Sequence, residues 1–168
     1  MNKLIIGLCG LILLSGVAFA GNVDFSANAG LYTAPGGIGT STLYGVSATQ
    51  GLTENLSVRA MIQSTTYTVA GASTTYTPIS VDLIYGQRLP GGLYPYAGLG
   101  LSYNSTTSGG VTAQTTGAQA EVGVNYAFGP ITAGVAYRYI LPDLSNTSLN
   151  ASAFNGSVTG SVFKSFSF

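Results

Sequence analysis

The 168-residue chain has no histidine, no tryptophan, a single cysteine and only ten charged side chains, five Lys or Arg against five Asp or Glu. Each scarcity removes a class of function. Without imidazole there is no Ser-His-Asp apparatus and no His-bearing metal site. A net charge of zero offers nucleic acid no basic footprint. Charged residues make up 6 % of the chain, far below the roughly 25 % of soluble domains. Hydrophobic residues make up 46 %, too many for a chain kept disordered by its charge. After residue 20 no run reaches the ~18 apolar residues of a membrane helix.

What is present begins with an address. Met1-Asn2-Lys3 gives a short positive start, Leu4 to Leu14 an apolar run, and Ala18-Phe19-Ala20 a small-x-small cleavage site. This is the pattern of a secretory signal peptide over residues 1–20; the run is short for an anchor helix. Cys9 lies inside that run, preceded by Leu8, so it does not fit a lipid-bearing cleavage site. It leaves with the signal, and the single mature domain, 21–168, then has neither a disulfide nor a thiolate nucleophile. With Lys3 gone, four positive and five negative side chains remain.

The mature chain alternates apolar and polar residues with period two, in segments of about ten, with turn residues between them. Eight strands are expected, over about 23–33, 41–50, 56–67, 76–89, 93–103, 116–128, 131–141 and 154–168. The connections after strands two, four and six are short. The others, about 34–40, 65–75, 104–115 and 142–153, are longer and rich in Ser and Thr. Short turns on one side and long loops on the other predict an all-β fold, an eight-stranded antiparallel up-and-down transmembrane β-barrel.

The charges provide a test of that alternation. Asp24, Arg59, Asp82, Arg88, Glu121 and Arg138 all fall on the polar parity that a barrel turns inward. Glu54 lies in a short turn, Asp143 in a long loop, and Lys164 near enough to the C-terminus to snorkel to headgroups. If Gly129-Pro130 is a two-residue turn, Glu121 and Arg138 face each other across strands six and seven. Asp82 belongs at similar depth, with Gly98 and Gly100 leaving room beside it. The expectation is a balanced lumenal network of three acids and three arginines, either a structural plug or a gate, with the plug favoured. Asp82 and Glu121 could form a carboxylate pair for glycoside chemistry, but arginines beside them hold both ionised. Hence no catalytic residue, metal or cofactor is expected. With lipid-facing parity, Phe25, Tyr85, Tyr126, Phe128, Phe166 and Phe168 form one aromatic girdle and Tyr44, Tyr103, Tyr137 and Tyr139 the other.

Taken together, Ala18-Phe19-Ala20, Gly51-Leu52-Thr53-Glu54-Asn55-Leu56, Pro95-Tyr96-Ala97-Gly98-Leu99-Gly100 and the terminal Phe166-Ser167-Phe168 resemble the small outer-membrane barrels of the OmpA/OmpX and opacity-protein type. That resemblance implies residence in the outer membrane of a Gram-negative-type bacterium after export through the periplasm. It implies outer-membrane lipid and lipopolysaccharide as surroundings, and Phe166 and Phe168 as the signal read by the outer-membrane assembly machinery. The expected molecule is a non-enzymatic monomer with a plugged lumen and Ser/Thr-rich surface loops, serving envelope integrity or surface interaction. Its rivals are a narrow porin-like channel for small solutes and a secreted, soluble β-sandwich adhesin.

Overall fold

The computed structural model describes residues 22–34, 39–69, 71–145 and 155–167. The expected signal peptide, Phe168 and parts of the loops at 34–40 and 142–153 lie outside those residues. Eight strands follow in order: β1 (Asn22–Thr33), β2 (Thr40–Gly51), β3 (Leu56–Val69), β4 (Ala72–Gly86), β5 (Leu93–Ser108), β6 (Val111–Phe128), β7 (Ile131–Leu141) and β8 (Asn155–Ser167). Each pairs with its sequence neighbours, and β8 closes on β1. All pairings are antiparallel.

Register fixes the shape. Following paired residues once around from Val23, through Gln50, Val58, Leu83, Leu99, Ala120, Tyr139 and Gly156, returns to β1 at Thr33. That offset of ten residues over eight strands tilts the strands by about 40° and sets a barrel radius of about 8 Å, an interior that side chains can fill. Alternation then decides what fills it. Leu99, Leu101, Val122 and Val135 stand on the outside, while Ser26, Asn28, Ser47, Gln63 and Ser80 are buried inside. A polar interior and an apolar exterior invert the arrangement of a water-soluble β-sandwich, so the soluble adhesin is not favoured.

Two differences from expectation concern the outer end. The segments 65–75 and 104–115, expected as loops, are strand almost throughout: β3 and β4 continue to a turn at Gly71, and β5 and β6 to one at Gly109-Gly110. Threonine is β-branched and favours the pleated strand. Its hydroxyls also bond across the ladder here, Thr66 to Thr75 at 3.3 Å and Thr107 to Thr112 at 2.9 Å. Gly109 and Gly110 have φ of 56° and 83°, the consecutive left-handed residues that a two-residue hairpin turn demands. The barrel is therefore taller on the β3–β6 side.

The third difference lies at the end holding the termini. β4 stops at Gly86 rather than continuing to 89. There the Gln87 N–H donates to Pro95 O at 3.1 Å and the Leu89 N–H to Leu93 O at 2.8 Å, drawing the chain into its turn.

Candidate functional site

Among the described residues, the lumen is where the fold gathers ionisable groups, and it is layered. At the end carrying the termini lies a recess of about 390 Å³, lined among others by Asp24, Glu54, Arg59, Arg88 and Tyr94. Above it Ile84, Tyr96 and Ala136 pack together as a small apolar layer. Next comes the charge network, and at the outer end Tyr32, Ala34, Leu43 and Tyr76 form a second apolar cluster with Tyr67 against it.

Antiparallel register builds the network. Arg59 on β3 stands opposite Asp82 on β4, and Glu121 on β6 opposite Arg138 on β7, as the two-residue turn requires. Arg59 Nη2 donates to Asp82 Oδ2 at 3.1 Å and also to Glu121 Oε1, spanning the lumen. Arg138 Nη2 donates to Glu121 Oε2 at 2.9 Å, and its Nη1 to Gln63 Oε1 at 2.8 Å. Gln119 Nε2 completes Asp82 through Oδ1, with Ser80 Oγ at 3.4 Å from Oδ2. The four ionic residues are 6 % (Arg59), 1 % (Asp82), 4 % (Glu121) and 1 % (Arg138) exposed, so bulk water screens none of these contacts. Every oxygen of both carboxylates accepts at least one hydrogen bond, whereas the Nε atoms of both arginines are buried without a partner among the described residues. Committed in this way, neither acid is placed as a proton donor for glycoside chemistry.

Glycine makes the room. A Cβ on Gly100 would collide with Asp82 Oδ1, and one on Gly98 would lie 2.6 Å from Ile84 Cδ1 and 3.0 Å from the Glu121 side chain.

The six expected lumenal charges do not form one network. Arg59, Asp82, Glu121 and Arg138 come together; Asp24 and Arg88 do not. Arg88 follows the end of β4, is exposed on the rim of the recess, and enters no ion pair among the described residues. Asp24 sits at the same mouth, where it accepts from Ser165 Oγ of β8. The core is thus two acids and two arginines, with Gln63 and Gln119 as neutral members that the sequence reading did not single out. Their only signal was inward parity, which many Ser and Asn residues share.

The outer cluster was also missed. Tyr32 stacks on Tyr76 with ring centroids 5.2 Å apart, and Tyr67 lies 5.8 Å from Tyr32. The Tyr76 hydroxyl donates to Asn104 Oδ1 at 2.7 Å, and Asn155 Nδ2 to the Tyr32 hydroxyl. Tyr76 opens the expected fourth strand, beside the expected loop at 65–75, yet it packs in the cluster that closes the outer end of the lumen. Beyond β7 the half-exposed Asp143 carboxylate accepts from the Ser145 N–H at 2.9 Å and its hydroxyl at 2.6 Å, which holds its pKa below the ordinary carboxylate value.

On the outside, Phe25, Tyr85, Tyr126, Phe128 and Phe166 are exposed toward the terminal end and Tyr44, Tyr137 and Tyr139 toward the other. Tyr103 is half-buried at the outer end, its hydroxyl enclosed. Phe25 meets Phe166 edge-on at 5.7 Å, and Tyr126 meets Phe128 at 4.6 Å. Lys164 stands over the Phe166 ring at 5.5 Å, a cation–π contact that keeps its stem on the barrel wall.

An edgeless barrel with an apolar belt, aromatic residues at both ends of the belt and a four-residue charge network sealed inside defines a β-barrel that crosses an outer membrane. Accordingly, the profile of the outer membrane protein beta-barrel domain matches residues 8–161, and the chain belongs to that family. No curated protein sequence matches it. Among solved structures it is similar to Neisserial surface protein A, at 19 % identity over 88 % of this chain and 98 % of that one, with a TM-score of 0.70. It is similar to the N-terminal β-barrel domain of Pseudomonas aeruginosa OprF, at 23 % identity over 87 % and 99 %, with a TM-score of 0.66. The outer membrane enzyme PagL shares the fold at 16 % identity over 84 % and 98 %, with a TM-score of 0.54. At such identities the likeness concerns the fold, which carries both enzymes and other proteins.

Proposed function

We propose that this chain is a non-enzymatic, monomeric outer-membrane barrel whose lumen is closed by its own side chains. Residues 1–20 direct export and are removed, Phe166 and Phe168 present the assembly signal, and outer-membrane lipid and lipopolysaccharide surround the wall. The molecule serves envelope integrity or surface contact. The observation that carries this reading is the Arg59–Asp82–Glu121–Arg138 network, buried across the lumen and packed between two apolar layers. A solute path through it requires breaking these contacts, and an arginine separated from its acid there is an uncompensated buried charge.

Planar-bilayer conductance of the purified protein tests it. The expected record is silent or shows rare, brief openings; a large, steady pore overturns the plug. A narrow channel has one observation in its favour, the recess that already reaches Arg59 from one side. If that reading holds, Arg138→Ala raises conductance or changes ion selectivity. If the variant loses stability alone, the closed lumen stands.

A further inference from the structure

A closed lumen makes no use of the recess of about 390 Å³ at the end carrying the termini. Its size falls within the range of small-molecule sites, and two kinds of group line it. On its walls Tyr94 and Tyr96 of β5 have ring centroids 6.5 Å apart, and Phe163 lines it from β8, three strands on. A Cβ on Gly86 would lie 2.5 Å from the Tyr94 ring, and one on Gly123 2.5 Å from the Tyr96 ring. Each tyrosine is thus laid along the wall over a glycine, which leaves the middle of the recess open. The second kind is charge at the mouth. Asp24 on β1 and Glu54 in the turn between β2 and β3 stand on one side, and Arg88, beyond the end of β4, on another. None of the three enters an ion pair among the described residues. Arg59 reaches the recess too, but its guanidinium is committed to Asp82 and Glu121.

We propose that this recess binds a short peptide with free termini and an aromatic side chain. The side chain enters between the tyrosines and Phe163, where ring faces and edges offer stacking. The terminal ammonium goes to Asp24 and Glu54, and the terminal carboxylate to Arg88, whose planar fork matches it. A single amino acid carries both charges on one carbon, whereas these acids and this arginine stand on separate strands. Two or three residues spread the charges over about 7–10 Å. A neutral sugar leaves all three rim charges unused, and a simple anion meets two carboxylates of its own sign at the mouth. The outer-membrane reading sets the compartment, since it turns the short-turn end toward the periplasm; the site itself does not depend on whether the lumen conducts.

The chain contains no tryptophan, so the fluorescence of an added alanyl-tryptophan dipeptide reports on the ligand alone. Its anisotropy is titrated with the refolded full mature chain in detergent micelles, against micelles without protein. The parent is expected to raise the anisotropy saturably. Alanyl-phenylalanine should displace the probe and alanyl-alanine, which lacks the ring, should not. N-acetyl-alanyl-tryptophan amide has neither terminal charge and is expected to bind about tenfold more weakly, the sum of two exposed ion pairs. Arg88→Gln and Glu54→Gln, at exposed positions, should each weaken the free dipeptide about three- to fivefold. Both variants should match the parent in heat-dependent gel mobility. No saturable rise over micelles, equal binding of the end-blocked peptide, equal displacement by alanyl-alanine, or full affinity in both variants overturns the proposal. Saturable binding by a chain that conducts steadily in planar bilayers upholds the site and overturns the closed lumen. A silent chain that leaves the dipeptide unbound overturns the site alone.

Discussion

Arg138 is the largest fully buried side chain among the described residues. Its guanidinium serves Glu121 and Gln63 while it is 1 % exposed. Arg138→Ala leaves Glu121 with Arg59 alone, and removing one partner of a buried pair costs about 3–5 kcal/mol; urea unfolding in detergent micelles should lose that much. Replacing all four network members with apolar residues of similar volume should cost less than this single change, because no charge is then stranded. Gly100→Ala is expected to destabilise comparably to the arginine variant, since the new methyl meets Asp82. The Glu121–Arg138 contact was legible from turn length and parity alone. Arg88 was not, because parity places a residue on a face but does not say where the ladder ends. Outside the barrel, Asp143 has its pKa lowered by Ser145. The order it lends to that turn is therefore complete above about pH 4, the ordinary carboxylate value, and is lost as pH falls through the lowered value. The protection of the Ser145 amide, taken relative to its intrinsic exchange rate at each pH, should fall over that interval, and Asp143→Asn should remove that change.

The eight strands were legible because their exposed and buried faces differ in chemistry, which makes the period visible. The extensions of β3 to β6 were not, because above the membrane both faces are polar and the alternation fades to threonine and serine. Only Gly71 and the Gly109-Gly110 pair marked where the hairpins turn. The same boundary can be mapped by substitution. Val135→Arg places a charge on the lipid face among Val124 and Gly160, and should cost about 2–4 kcal/mol. Thr68→Arg has the same outward parity on β3 but lies above Tyr103, and should cost nearly nothing. Gly109→Ala forces a methyl-bearing residue into a left-handed turn, at about 1–2 kcal/mol. Hydrogen exchange should show that cost confined to residues 104–115, with no change in β7 or β8.

For the molecule as a whole, every strand is paired on both sides, so an intact barrel should resist SDS until heated. The refolded mature chain is expected to run at different gel mobilities before and after boiling; a single mobility, with protein soluble without detergent, would restore the soluble adhesin. The closure of β8 on β1 has a kinetic consequence. Its side-chain bonds join Asn28 to Ser161 and Asp24 to Ser165, 133 and 141 residues apart. Contacts so distant along the chain are slow to form, because the entropy of bringing the ends together is spent before any bond rewards it. Until they form, the molecule is an open sheet with two bare edges, each able to pair with another chain. The last strand made is thus the clasp, and the time between its synthesis and its docking on β1 is the period in which this protein is most exposed to aggregation.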